Sequence, residues 1–591
     1  VLLGLSYNAG MSFTRPSPLV ARLLAGCGAA LLSACTTLFT HTNHPLPASP
    51  PASAVAPSRA SFAIDGARGN PKVLMFLALS GGGSRAAYLS AATMLRLQTL
   101  YPEVDLLDEV DVLSSVSGGS ITAALYAASR DVSLHAPALA AALPPRIAGT
   151  PLAQQITLAA PLHTLHCNAP LSANDLAQLH AKLPTHTQAL RRLDTLCRQA
   201  PLKQLRDWQP DSVLDLTRRN YLLRWFGNWL WPQNIARYWF TAYDRGDIMA
   251  QTLGDNLYGT RLLGGDLRFD ELNPTRPFLL VNATTATDQS GPGLAVDEYA
   301  FGSVFTFTEQ DFRDRLNADL GRYSVARAVM ASSSFPLVFP SHTLQDYRPG
   351  ALDTHCEKNR DDELKCTDRQ YLHVFDGGNS DNLGLKSVKR ALFQMEAEGR
   401  LDQYDRVVVV LVDAFTRPRG ASRLDPDPRG TLGLLLDANV SDAVDALLQN
   451  NRGRLIGEFN GARLRWNDGS CEPETRELPS ALCRALNERN RPMLDLSERL
   501  VFYHFGFDDL EAVDRAHAGL KRKLDTIPTS FKLADGDARL LDEAVDIVIS
   551  PTNPCLQQIR SLVTAPSVAP EAVAHARQVC RRIEGPEVRS R

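Results

Sequence analysis

Residues 72–83 read KVLMFLALSGGG, and the fold turns on how that stretch is read. After Lys72 an unbroken apolar run to Leu79 leads into three glycines, which is the pattern of a buried strand. Ala86, Ala87, Leu89, Leu95 and Leu97 follow at helical spacing, so the segment predicts strand, tight turn, helix. The pattern recurs at Val110 to Ser115, followed by Gly118-Gly119 and the small apolar segment Ile121 to Ala128. Two strands that each lead directly into a helix predict a parallel sheet covered on its faces. Phe278 to Val281, Val407 to Val412 and Leu500 to Phe505 are further strand candidates, and Leu385 to Glu398 reads as a helix. The predicted fold class is α/β, a three-layer α/β/α body with a mostly parallel central sheet, an insertion and a largely helical C-terminal region.

At 591 residues, 44% hydrophobic and 21% charged, the chain is globular and long enough for a large core. Sixty-two Lys plus Arg against sixty-five Asp plus Glu give a net charge of −3, which leaves no electrostatic footprint for nucleic acid. From Met11 onward, Arg15 and Arg22 precede an apolar stretch from Leu23 to Leu32, and Leu32-Ser33-Ala34-Cys35 follows. This layout is that of a secretory signal, and its ending looks like a bacterial lipobox, so residues 1–35 are expected to be a signal peptide with lipid attached at Cys35. Leu24-Ala25-Gly26-Cys27 also fits the tetrapeptide, but Arg22 then interrupts the apolar region; a plain secretory cut after Ala34 is the other reading. Residues 36–68, rich in Pro, Ala and Ser, read as a tether; 69–430 as the main α/β domain with an insertion at about 130–275; and 431–591 as a mostly helical region.

Eight cysteines remain beyond Cys27 and Cys35, in neighbouring couples: Cys167 with Cys197, Cys356 with Cys366, Cys471 with Cys483, and Cys555 with Cys580. The even count suits an oxidising compartment, and sequential pairing is the simplest of many connectivities. Metal binding is the competing use, but no C-x-x-C spacing occurs.

Three short motifs carry chemistry. Ser115-Val116-Ser117-Gly118-Gly119 sits where a strand becomes a helix, a turn that exposes a serine hydroxyl and aims a helix N-terminus at a developing oxyanion. Gly81-Gly82-Gly83-Ser84-Arg85 offers amides unshielded by side chains, suited to hold an anionic oxygen. Neither the Gly-Lys-Ser/Thr of a phosphate loop nor G-x-G-x-x-G is present there. Asp376-Gly377-Gly378-Asn379 follows the apolar Val374-Phe375, which puts a carboxylate at a strand end, open to a serine that needs a base.

In this chain order the motifs resemble the patatin-like phospholipase family, whose pattern is G-G-G-x-R/K, then G-x-S-x-G, then D-G-G/A. Ala331-Ser332-Ser333-Ser334-Phe335-Pro336 also resembles the family's A-S-x-A-x-P segment, and the agreement covers roughly residues 72 to 415. The chain departs from the pattern at Ser115, where the family usually has glycine. The resemblance implies a patatin-like fold and a dyad of Ser117 as nucleophile with Asp376 as base. It further implies Gly81, Gly82 and Gly83 as oxyanion hole, lipid or phospholipid esters as substrates, and neither cofactor nor metal. The alternatives are an ordinary Ser-Asp-His triad, with His504 in Phe502-Tyr503-His504-Phe505 as the third member, and a non-enzymatic lipid-binding envelope protein.

Four of the six tryptophans lie between Trp225 and Trp239, with Arg224 and Arg237 among them. Leu222, Trp225, Phe226, Trp229 and Leu230 recur at helical spacing, which reads either as a surface leaning on a membrane through Trp225 and Trp229 or as a core helix. With Cys35 lipidated, the expected location is the bacterial envelope, at the outer membrane or its periplasmic face. No reading of the residues sets an oligomeric state.

Overall fold

The structure is a computed structural model. It describes residues 43–47, 59–143, 151–258, 265–289, 300–416, 452–465, 493–510 and 517–581, apart from short gaps at 65, 67, 160–162, 337, 350, 352–354, 359–363 and 368–369. The strands used below are β1 (Val73–Leu79), β2 (Val112–Val116), β3 (Phe278–Thr285), β4 (Val304–Phe307), β5 (His342–Gln345), β6 (Tyr371–Asp376), β7 (Arg406–Asp413) and β8 (Leu500–Gly506). The helices are α1 (Gly83–Thr99), α2 (Gly118–Ala127), α3 (Tyr221–Trp229), α4 (Pro232–Phe240), α5 (Val325–Ser332), α6 (Leu385–Ala397), α7 (Asp535–Val548), α8 (Pro554–Thr564) and α9 (Pro570–Cys580).

One sheet runs in the order β5-β6-β3-β2-β1-β7-β8, with β4 also paired to β3. The five strands β3, β2, β1, β7 and β8 are parallel, and β6, β5 and β4 join antiparallel. The unbroken apolar run of β1 has a direct structural cause. Met75, Leu77 and Leu79 enter one core with α1 and α2, while Leu74, Phe76 and Ala78 enter a second core with α6. A strand covered on both faces has no polar side to display, so the period-2 alternation is lost. Val408, Val410 and Val412 of β7 likewise serve the first core, and Val407, Val409 and Leu411 the second.

Between β2 and β3 the chain makes two bodies. Residues 134–197 carry a separate small core around Leu139, Leu165, Leu190 and Leu193, stapled by the Cys167–Cys197 disulfide. The following helices return to the sheet, and Leu267, Phe269 and Leu272 belong to the first core. In the C-terminal region β8 completes the sheet beside β7, a short hairpin pairs Arg463–Arg465 with Met493–Asp495, and α8 and α9 are joined by Cys555–Cys580. Cys356 and Cys366 face one another in register across a hairpin, and Cys366 is disulfide-bonded. Cys471, Cys483, Cys27 and Cys35 lie outside the described residues.

The tether expected over 36–68 needs correction at its described pieces. Asn43 is buried and exchanges hydrogen bonds with the backbone of Gln345, and His44–Pro45 pairs with Ala318–Asp319. Ala60, Phe62 and Ile64 are fully buried, and the Phe62 amide donates to Gln310 Oε1. Three apolar residues at alternate positions outweigh the Pro/Ala/Ser composition around them, because each finds a place in a core. Phe62→Ala is therefore expected to cost about 3–5 kcal/mol and lower the denaturant midpoint. An unchanged midpoint in urea would return this segment to the tether.

Candidate active site

The sheet's carboxyl edge gathers the three motifs, as expected where strand order reverses on either side of β1. Ser117 bridges β2 and α2 with φ 49° and ψ −119°, a region that a residue with a Cβ enters only when its surroundings impose it. The neighbours supply that force. The Ser117 amide donates to Ser332 Oγ at 2.9 Å, and the Ser332 hydroxyl donates to the Asn282 carbonyl at 2.6 Å. A Cβ at Gly118 would stand 2.0 Å from the Gly83 carbonyl oxygen, and one at Gly119 2.5 Å from the Leu79 oxygen. Those two glycines let the elbow press against the β1 turn. Ser115, in place of the usual glycine, is buried; its hydroxyl donates to the Leu280 carbonyl and its own carbonyl accepts from Asn282 Nδ2. The β2–β3 seam thus absorbs the extra side chain.

Asp376, the last residue of β6, accepts a hydrogen bond from Ser117 Oγ at 3.0 Å through Oδ2 and one from the Gly378 amide at 2.7 Å through Oδ1. Its own amide donates to the Ser334 carbonyl, and its carbonyl accepts from Thr284 Oγ1. Gly377 is held where a Cβ would lie 2.2 Å from the Asn282 oxygen, so the D-G-G turn packs on β3 without clearance. Burial pushes the Asp376 carboxyl up to about 6, against the Gly378 amide and the Ser117 hydroxyl, which both favour the charged form.

The glycine loop lies on the other side of the serine. A Cβ at Gly81 would stand 3.3 Å from Ser117 Cβ, and Gly82 and Gly83 adopt φ 141° and 60°. The Gly81 amide donates to the Asn382 carbonyl at 3.0 Å and the Ser84 amide to the Ser530 carbonyl at 2.7 Å. Among the described residues the amides of Gly82 and Gly83 have no carbonyl partner. Of the three expected oxyanion donors, two are therefore free and one is engaged. Arg85 is buried beneath the loop; it donates through Nε to the Ala414 carbonyl at 2.9 Å and also reaches Ile527 O and Thr529 Oγ1. Burial lowers its guanidinium to about 10, opposed by Asp413 and Asp525. Its contacts are those of a brace.

His504 stands elsewhere. It lies on β8, three strands from β2, which at ordinary strand spacing is roughly 14 Å away. Its Nε2 pairs with Asp413 Oδ2 at 2.9 Å, and Arg452 binds the same oxygen. Burial alone would raise Asp413, but these two partners hold its carboxyl well below the usual range. His504 is occupied by a buried ion cluster on the far side of the glycine loop.

Sequence reading missed Ser332, Asn282 and Asn382 as parts of the site, as well as the 527–531 segment that covers Gly83. Ser332 was within reach through its place in the Ala331–Pro336 motif; the others are brought in by strand register and by a distant segment. Trp225 and Trp229, the pair read either as leaning on a membrane or as core, are half-buried. The Trp225 ring lies 5.2 Å from Trp229 and 6.1 Å from Phe339, and its Nε1 donates to the Arg245 carbonyl. Trp225 and Asn228 lie on the side of α3 facing helix Arg245–Leu253, where Asn228 bonds Thr252, while Trp229 packs 5.5 Å from Tyr238 of α4. The outward row is formed by other residues.

A strained serine elbow beside a glycine loop and a strand-end aspartate defines an α/β protein of the serine-elbow class. The family model for patatin-like phospholipase matches residues 77–389, more than half of the chain, and the chain belongs to that family. Among solved structures it is similar to human GIVD cytosolic phospholipase A2 (12% identity, TM-score 0.31), covering 83% of this chain and 63% of that one. It is also similar to VipD from Legionella pneumophila (13% identity, TM-score 0.21), covering 88% of this chain and 93% of that one. Comparison with curated protein sequences gives no match.

The raised Asp376 carboxyl fixes a stability signature. A carboxyl whose folded value exceeds its unfolded one contributes stability that is fully present below about pH 4 and is lost as pH rises through about 6. Asp376→Asn should match the parent near pH 4 and melt higher than it at pH 7.5, by up to about 3 kcal/mol. A melting difference independent of pH would show that the carboxyl is not perturbed.

Proposed function

We propose that this protein is a serine lipid acyl hydrolase of phospholipase A or lysophospholipase type, with Ser117 as nucleophile, Asp376 as base and the glycine loop as oxyanion hole. The observation that carries this reading is the 3.0 Å hydrogen bond from Ser117 Oγ to Asp376 Oδ2, made from a strained elbow beside unpaired glycine amides. Above about pH 6 Asp376 is ionised and takes the proton as Ser117 Oγ attacks the ester carbonyl. The carbonyl oxygen becomes an oxyanion held by the Gly82 and Gly83 amides and by the N-terminus of α2. Asp376 then protonates the departing alkoxide, leaving an acyl-Ser117 ester and free alcohol. Water, deprotonated by Asp376, attacks the acyl-enzyme; the acyl–Oγ bond breaks, the fatty acid leaves, and Asp376 returns the proton to Ser117 Oγ.

The Gly81 amide is expected to support the loop through Asn382 rather than to bind the oxyanion. Lipid attachment at Cys35 and a place at the bacterial envelope complete the reading, motivated by Leu32-Ser33-Ala34-Cys35 after an apolar stretch. Metabolic labelling with a radioactive fatty acid should mark the protein and fail in Cys35→Ser; equal labelling of both would remove the anchor.

A fluorophosphonate probe should label the wild type and His504→Ala, and should not label Ser117→Ala. Ser117→Ala should also lose hydrolysis of phospholipids, lysophospholipids and short esters by about 10⁴-fold or more. His504→Ala should lower the melting temperature, because it strips a partner from buried Asp413, while keeping activity within about tenfold. Loss of labelling in a folded His504→Ala protein would restore the triad. No labelling of a folded wild type would favour a lipid-binding, non-enzymatic role.

A further inference from the structure

Helices α3 and α4 form a hairpin whose outer side is almost wholly apolar. Leu223, Phe226, Leu230, Trp231, Trp239 and Phe240 are all exposed, Leu223 to 68% and Trp239 to 72%. Large side chains grouped this way are uncommon on a surface that meets only water. The residues follow from the helical period: Trp225 and Asn228 occupy the inward side of α3, so the apolar residues one position away are turned out. The polar exceptions are of one sign. From Leu216 to Tyr243 there is no Asp or Glu, in a chain of net charge −3. Arg224 bonds Asn256 and Arg237 lies over the Tyr243 ring; both are exposed, and neither is paired with a carboxylate among the described residues.

The inner side of the hairpin is keyed into both walls of the serine site. The Tyr221 amide at the start of α3 donates to the Phe531 carbonyl, and the adjoining Ser530 carbonyl holds the Ser84 amide at the end of the glycine loop. Trp225 packs on Phe339, and Phe339 on Phe531 at 5.6 Å between ring centres. Phe339 in turn belongs to the segment that begins at Ser332 and Ser334, the partners of the Ser117 and Asp376 amides. On that segment Phe335 and Val338 are exposed too, so apolar side chains also stand open on the segment that Trp225 packs against.

We propose that the α3–α4 hairpin seats this enzyme on an anionic phospholipid bilayer, with Leu223, Phe226 and Trp239 entering the headgroup boundary and Arg224 and Arg237 meeting lipid phosphates. This rests on the lipid acyl hydrolase reading, since a bilayer is where such a substrate resides. Two features favour a bilayer over a second protein surface: the hairpin is joined to the walls of the site through Phe531 and Phe339, and its own charges are all cationic, with no ion-pair partner for Arg224 or Arg237 among the described residues. Tryptophan and arginine beside aliphatic side chains are also the composition of a membrane interface. Because α3 is bonded to the 530–531 segment, seating brings the bilayer to the oxyanion loop itself.

The test uses the full chain and vesicles of phosphatidylcholine with or without phosphatidylglycerol. The wild type and Ser117→Ala should co-sediment with the phosphatidylglycerol vesicles, and salt should weaken the binding. Leu223→Ser combined with Trp239→Ser, two exposed positions, should weaken vesicle binding at least about tenfold and lower hydrolysis of vesicle lipid in parallel. Hydrolysis of a soluble short-chain ester should be unchanged in that variant. Arg224→Gln with Arg237→Gln should lose the preference for phosphatidylglycerol. Unchanged vesicle binding by the Leu223/Trp239 variant overturns the docking surface while soluble-ester hydrolysis keeps the enzyme reading. A wild-type dimer that this variant converts to monomer, without effect on vesicles, assigns the patch to a second copy instead. Vesicle binding by a wild type that hydrolyses nothing removes the enzyme and keeps the surface.

Discussion

The hydrogen bond from the Ser117 amide to Ser332 Oγ is the constraint on which the rest of the site depends. Ser117 occupies backbone space that costs on the order of 1–3 kcal/mol, and it remains there because Ser332 is itself tied to the Asn282 carbonyl on β3. Asn282 is also the residue that Gly377 packs against and that holds the Ser115 carbonyl. One strand therefore sets the positions of the elbow and of the D-G-G turn together. This explains how residues 259 positions apart in the chain meet at hydrogen-bond distance.

The three-layer body was legible in the sequence because parallel strands buried on both faces leave continuous apolar runs, and Val73–Leu79 and Arg406–Asp413 are such runs to within a residue. Ser117, Asp376 and the glycines were legible because their turns tolerate few residue types, which leaves a local mark. The supporting residues left none. Asn282 is an ordinary polar residue at the end of an apolar strand, and its role arises only from the β2–β3 register. Asn382 and Ser530 reach the glycine loop through backbone carbonyls, which any residue could supply. Composition also misled at Ala60, Phe62 and Ile64, where a Pro/Ala/Ser background concealed core positions.

The tryptophan cluster shows a different limit. A helical period identifies an apolar stripe but does not say which of two adjacent stripes is buried. Trp225 went inward against Phe339 with Trp229 packed beside it, leaving Leu223, Phe226, Leu230, Trp231 and Trp239 outside. Size alone did not decide the matter, since Trp239 is as large as Trp225 and stays exposed; Trp225 had Phe339 and the Arg245 carbonyl within reach.

The order in which the chain supplies its walls bears on its biosynthesis. Ser117, Asp376 and the glycine loop have all emerged by residue 376, yet β8 and the 527–531 segment that braces Gly83 and Arg85 come more than a hundred residues later. A nascent chain therefore has these three motifs before it has the scaffold that holds them in register. Contacts of such long sequence separation form late and slowly. The arrangement around Ser117 is consequently complete only once residues 527–531 have joined it.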